Sequence, residues 1–193
     1  MDIRQDSRIH SKAFESVFKV AQDLLITNSK ENYSTLSEDQ KIKILSKLSG
    51  DIPVNSFTND SVVSILSSIR AMKLIQKSNG EMGSNRYIIS NNKTALNVMQ
   101  LFAMLKIVSF NEKLTIDICP LFETVEDLEN AADVMKVLYK NSAYSEHLIT
   151  RNSKQHIMLG FSDGTKDGGY LMANCCLLYT SPSPRDATLS RMP

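Results

Sequence analysis

RYIISNNKTALNVMQLFAMLKIVSFNEKLTIDICPLFE, residues 86–123, decides how this chain is built. It opens on a β-rich run, RYIIS at 86–90, of the kind that forms a buried strand. Apolar residues then recur at helical spacing from Thr94 to Ile107, through Leu96, Met99, Leu101, Met104 and Leu105. A second run, LTIDIC at 114–119, reads as a strand stopped by Pro120. Beyond it a helix is expected over 126–140, capped by Thr124. A third strand, HIMLGF at 156–161, leads into a glycine-rich turn over 162–169 with no helix after it. Strands separated by helical segments of this length are parallel βαβ units. A parallel sheet is covered on both faces, so three strands are not a finished sheet. The expected fold is α/β, a partial parallel (β/α) barrel of the TIM-barrel type with a large helical content, and either the molecule oligomerises through its open edges or it is truncated and further strands are missing.

Upstream, the pattern is helical. Phe14, Val17, Phe18, Ala21, Leu24 and Leu25 mark a helix over 12–28. Ser37 with Gln40 three residues on is a capping-box signal for a second helix, with Ile42, Ile44, Leu45 and Leu48 as its stripe and Gly50 closing it. A third, over 60–77, turns Val62, Ile65, Leu66, Ile69, Met72 and Leu74 inward and is stopped by Asn79 and Gly80. Before these helices only a stub at residues 2–3 could add a strand. The expected organisation is one unit over 1–174, mainly helical over 12–77 and βαβαβ over 86–174, with a tail over 175–193.

Composition excludes more than it selects. The formal net charge is +1, so no bulk field advertises nucleic acid or an anionic membrane as a partner. No apolar run approaches the roughly 20 residues needed to span a bilayer. The opening MDIRQDSRIH lacks the basic-then-apolar layout of a secretory signal, which makes the cytoplasm the default location. Cys119, Cys175 and Cys176 have neither metal-site spacing nor a disulfide framework, and the three histidines form no HxxxH or HExxH pair. The methionines at 72, 99, 104 and 135 fall on helical stripes and read as core. No GxGxxG or GxxxxGK[ST] phosphate loop is present.

In parallel barrels, functional groups gather on the loops that follow the strands. Glu123 follows LTIDICPLF and Asp163 follows HIMLGFS. If those strands are neighbours, both carboxylates project toward one barrel mouth, where hard oxygen donors suit Mg²⁺ or Mn²⁺. Lys166 lies a turn further on, in a loop whose backbone could approach an anion. The plainer alternative stands beside this one. Acidic residues after strands are often helix caps, glycine-rich turns often merely turn, and Arg4 alone reads as a solvated arginine.

Four segments, MDIRQDSRIH (1–10), RYIISNNKTALNVM (86–99), CPLFETVEDLENAADVM (119–135) and IMLGFSDGTKDGGYLMAN (157–174), resemble phosphoenolpyruvate carboxylases in that family's order. The last two carry most of the specificity, and 27–85 carries little. The resemblance implies carboxylation of phosphoenolpyruvate by bicarbonate to oxaloacetate and phosphate. It also implies Glu123 and Asp163 as the ligands of Mg²⁺ or Mn²⁺, and Lys166 and Arg4 as catalytic, substrate-binding cations. Where many members read SDSxKD this chain reads SDGTKD, which leaves Asp163 and Lys166 in place. A homo-oligomer, a tetramer by resemblance, is implied for the parent enzyme. The chain lacks a TAHPT-like histidine and an HGRGG arginine loop. It is therefore expected to be an internal fragment, with Met1 an internal methionine, and to be inactive and poorly folded by itself.

Two other readings compete: another metal-dependent α/β barrel acting on phosphoenolpyruvate or pyruvate, and a non-catalytic helical interaction module built on 12–77. In the tail, CCLLYTSPSPRDATLSRMP, prolines and serines cluster and helical periodicity ends. On composition alone 175–193 reads as a disordered tail; back-translation of its start resembles a transposase-type sequencing adapter, so 176–193 is expected to be non-native as well.

Overall fold

The structure, a computed structural model, describes residues 2–25, 33–110 and 113–180; for 22–25 and 176–180 only the backbone is described. Four strands, β1 (Asp2–Asp6), β2 (Arg86–Ser90), β3 (Asp117–Phe122) and β4 (Met158–Leu159), form one parallel sheet in the order β1-β2-β3-β4. Seven α-helices accompany it among the described residues: α1 (Ser7–Leu25), α2 (Glu38–Lys47), α3 (Asp60–Asn79), α4 (Ala95–Val108), α5 (Val125–Lys140), α6 (Ser142–Thr150) and α7 (Phe161–Thr180). The architecture is α/β with a parallel sheet and a large helical content, as in a partial (β/α) barrel. Among the described residues no helix is long and apolar enough to cross a membrane.

The core forms around α4. Its residues 98–105 are buried without interruption, because helices pack on it from several sides: α1, α2, α3 and α5. A helix enclosed in this way is apolar all round. Tyr87 and Ile89 of β2 point into the same core, while Arg86, Ile88 and Ser90 on the opposite face are only half-buried. The sheet is thus covered on one face, and the other stays open along β1 and β2.

Local signals set most of the boundaries. The capping box at Ser37 is realised in both directions: its hydroxyl accepts from the Gln40 N–H at 3.4 Å, and Gln40 Oε1 accepts from the Ser37 N–H at 2.9 Å. Thr124 caps α5 in the same manner through Asp127. Gly80, at φ 78, ends α3. Met72, Met99, Met104 and Met135 are all buried.

The structure corrects several expectations. α1 begins at Ser7 rather than residue 12, since the Asp6 carboxylate accepts from the Arg8 N–H in the first turn. Its expected end at residue 28 lies outside the described residues. α2 closes at Leu48, so Gly50 lies past its end. Leu74 is exposed, off the buried face of α3. The sheet has four strands, not three, because DIRQD pairs along its whole length with β2 and is not a stub. α6, capped by Asn141, falls where no helix was expected.

Pro120 does not stop β3 but sits inside it. The Phe122 carbonyl, facing β4, accepts from the Gly160 N–H at 2.8 Å. Two residues back, the Pro120 nitrogen faces that same side, where pairing with β4 begins only at Leu121. A missing N–H is harmless there. β4 itself spans two residues rather than 156–161. Upstream, the Gln155 side chain occupies the Ile118 carbonyl at 2.8 Å, in place of a longer ladder.

The glycine-rich stretch is not a turn either. It is the first half of α7, broken only at Gly169, where φ is 83 and ψ is 164. Helical backbone continues through residues 175–180 to Thr180, where a disordered tail was expected; residues 181–193 lie outside the described residues.

Candidate active site

Because the strands are parallel, the ends of β1, β2, β3 and β4 that lead into helices share one edge of the sheet. Glu123 is the first residue past β3, and Gly160 the first past β4. Gly160 allows the two chain segments to touch: a Cβ there would stand 3.0 Å from the Glu123 Cα. From this point α7 runs across the β3–α5 junction. Gly160, Gly164 and Gly168 recur at a spacing of four, and so share a face. A Cβ on Gly164 would meet the Glu123 carbonyl at 3.4 Å, and one on Gly168 would overlap Val125 Cγ2 at 2.5 Å. Glycine weakens a helix by roughly 1 kcal/mol relative to alanine. Here it is what lets the helix lie directly on residues 123–125. Asp167 fastens the contact by accepting from the Val125 N–H at 3.0 Å, one of the donors that the start of α5 leaves unpaired.

Arg4 leaves β1 and reaches across β2 to Glu123, with Nη2 to Oε1 at 2.5 Å. The other carboxylate oxygen, Oε2, accepts from the Asn91 N–H at 3.0 Å, just past β2. Glu123 is thus gripped by groups from two neighbouring strands and is about one-fifth exposed. Asp163 and Lys166 stand on the first two turns of α7, mutually paired at 3.4 Å and both well exposed. The structure therefore brings Arg4 and Glu123 into contact and seats Asp163 and Lys166 on the helix that packs against Glu123. Among the described residues no hydrogen bond or ion pair joins the two pairs.

Sequence reasoning missed three contributors. Asn91 lies in the resembling segment 86–99 but has no role assigned there; its further signal is its place after a strand, with an asparagine's tolerance for left-handed backbone. Asp167 stood in the recognised loop without a task. The glycines were visible but read as a turn, although their spacing of four was a helical signal.

Among the described residues no group of three or more His, Cys, Asp or Glu stands together as a metal cage. Two carboxylates remain, and in donor chemistry they fit a hard divalent cation, which commonly takes one or two protein carboxylates and completes its shell with water or substrate oxygens. Each Glu123 oxygen uses one lone pair on a protein donor and keeps another. The charges add a condition. Arg4 and Lys166 balance Glu123 and Asp163, so the four together are neutral, and a divalent cation gains most here when an anion binds with it.

A family model described as phosphoenolpyruvate carboxylase matches residues 1–182, nearly the whole chain.

Proposed function

Because the chain belongs to the phosphoenolpyruvate carboxylase family, we propose that its sheet edge forms one wall of a site that carboxylates phosphoenolpyruvate with bicarbonate. The observation that carries this reading is the Arg4–Glu123 pair, with α7 and its Asp163 and Lys166 packed against the Glu123 backbone. Glu123 and Asp163 would hold Mg²⁺ or Mn²⁺, which when bound supplies a Lewis acid for phosphoryl and enolate charge. Arg4 presents a planar fork suited to phosphate or carboxylate oxygens, and its half-exposed guanidinium is open to a ligand. Lys166 adds an exposed point charge from α7. In the reaction, bicarbonate oxygen bonds to phosphorus as the enol oxygen–phosphorus bond breaks, giving carboxyphosphate and pyruvate enolate. Loss of phosphate then releases carbon dioxide, which the enolate carbon captures.

Charge also argues that this wall is insufficient by itself. Phosphoenolpyruvate carries about three negative charges near neutrality. With bicarbonate added and one divalent cation bound, the neutral set of four residues is left with an excess of about two negative charges. Further cations must come from elsewhere, so the isolated chain is expected to bind but not to turn over.

Titration of Mn²⁺ followed by electron paramagnetic resonance tests the reading. Phosphoenolpyruvate should tighten Mn²⁺ binding to the chain, and Glu123→Gln or Asp163→Asn should weaken it by about ten-fold or more. Unchanged affinity in both variants would remove these carboxylates from the ligand set, and oxaloacetate made by the chain alone would sink the charge argument. Residues 176–193 we read as non-native, on their composition and their resemblance to translated adapter. The match to residue 182 and the helix to Thr180 weigh against that reading, and the nucleotide sequence across codons 174–193 decides it.

A further inference from the structure

Asn91 has a left-handed backbone, φ 51, at the sheet edge where Arg4 and Glu123 meet. Few residues with a side chain adopt this conformation, asparagine more readily than most, and here the surroundings hold it. Two hydrogen bonds do so. The Asn91 N–H donates to Glu123 Oε2 at 3.0 Å, and its carbonyl accepts from the hydroxyl of buried Ser7 at 2.5 Å. Ser7 opens α1, directly after β1, and Ser90, the last residue of β2, donates to the Gln5 carbonyl at 3.2 Å. The ends of β1 and β2 are therefore stitched together twice. The turn so formed aims one backbone donor at the carboxylate that β3 delivers.

We propose that Asn91 is a positioning residue for Glu123. Its left-handed turn, locked by Ser7, holds one carboxylate oxygen while Arg4 holds the other, and so fixes the plane in which Glu123 faces a cation. This rests on the reading of Glu123 as a metal ligand given above. Without the Asn91 contact, Glu123 has Arg4 as its single anchor and can rotate about its own side-chain bonds. Groups that orient a ligand in this manner are worth roughly 10–100-fold in metal affinity. The asparagine side chain is not needed for the hydrogen bond. What is needed is a residue that accepts positive φ and carries an N–H, which asparagine and glycine do and β-branched residues do not.

The test uses the full chain and two measurements. In Asn91→Val the turn should relax, and Mn²⁺ affinity measured with phosphoenolpyruvate present should fall about ten-fold. Asn91→Gly should recover most of that loss, while Ser7→Ala should fall between the two. Separately, amide hydrogen exchange by NMR, without metal, should find the Asn91 N–H protected and should lose that protection in Glu123→Ala. If Asn91→Val binds Mn²⁺ as the unaltered chain does, while Glu123→Gln is weak, the positioning role is wrong and the ligand reading survives. If Asn91→Gly is as weak as Asn91→Val, the side chain rather than the turn is at work, and the proposal falls. An Asn91 amide indifferent to Glu123→Ala overturns the geometry itself. Absence of phosphoenolpyruvate-dependent Mn²⁺ binding by the unaltered chain overturns both readings.

Discussion

α4 and α7 are built by opposite means. α4 is held by burial: Leu101, Phe102, Ala103, Met104 and Leu105 are each at most 2% exposed, and helices surround it. In α7, by contrast, Tyr170, Leu171 and Met172 are exposed, and over 161–172 only Gly164 is buried. Its first half is held by the close approach to residues 123–125 that Gly160, just before it, and Gly164 and Gly168 within it permit, and by the bond from Val125 to Asp167. The residues proposed for chemistry lie on the lightly held side, or at its seam with the sheet. Stability concentrates in one layer and adaptable geometry in the other, as expected where binding elements are drawn from the less stable parts of a fold.

Acid should separate the two layers most strongly. His10 of α1 and His147 of α6 are buried, and burial lowers both imidazoles from 6.5 to about 4. His10 Nε2 pairs with the Tyr87 hydroxyl at 3.0 Å, and His147 packs on Phe102 and Tyr144. As pH falls below 6.5 the unfolded chain takes up these protons before the folded one does. Stability should therefore be full above about pH 6.5 and drop progressively toward pH 4, by on the order of 3 kcal/mol per imidazole. Denaturant melts across this window read the slope. A His10→Gln, His147→Gln double variant that keeps the same slope would show that other groups cause it.

Leu101→Ala, at the centre of the buried layer, should cost about 2–5 kcal/mol and lower the melting temperature of the whole molecule. A loss under about 1 kcal/mol would mean that α4 is less enclosed than its burial implies. Gly168→Ala should cost less, about 1–3 kcal/mol, because the added methyl overlaps Val125 Cγ2 and α7 must shift to relieve it. Its signature is local: amides of α7 and the start of α5 lose protection from exchange, while those of α4 keep it. Equal loss in α4 would erase the distinction between the layers.

Legibility in the sequence follows the same division. β2, α4 and α5 were readable because their signals are local: a β-branched run, an apolar helical repeat, and the cap at Thr124. Glu123 could be placed after a strand for the same reason. α7 was misread because helix propensity counts glycine as a breaker, whereas the compensating contact with residues 123–125 is between segments more than thirty residues apart. β1 was underread because DIRQD has no apolar alternation, and its pairing depends on β2 some eighty residues away. Pro120 looked like a stop because which strand edge its nitrogen faces is a property of the sheet. Asn91 was invisible for the most basic reason, since its contribution is a backbone N–H that every residue but proline has.

The smallest effect should come from Asp167, and it sharpens the comparison most. α5 begins with a cap of its own, Thr124 serving the Asp127 N–H at 3.1 Å, but the Val125 N–H is left to a partner from α7. Asp167→Ala removes that acceptor at an exposed site, where water replaces part of the bond. The expected cost is about 1 kcal/mol, the scale of a lost helix cap. Asp167→Asn keeps an acceptor oxygen and gives up the charge beside a helix N-terminus, so it should cost about half as much. Both variants should speed exchange of the Val125 amide and leave the melting cooperativity of the buried layer intact. A loss comparable to that of Leu101→Ala would instead mean that α7 is integral to the core's stability, and that the helix carrying Asp163 and Lys166 is no more adaptable than α4.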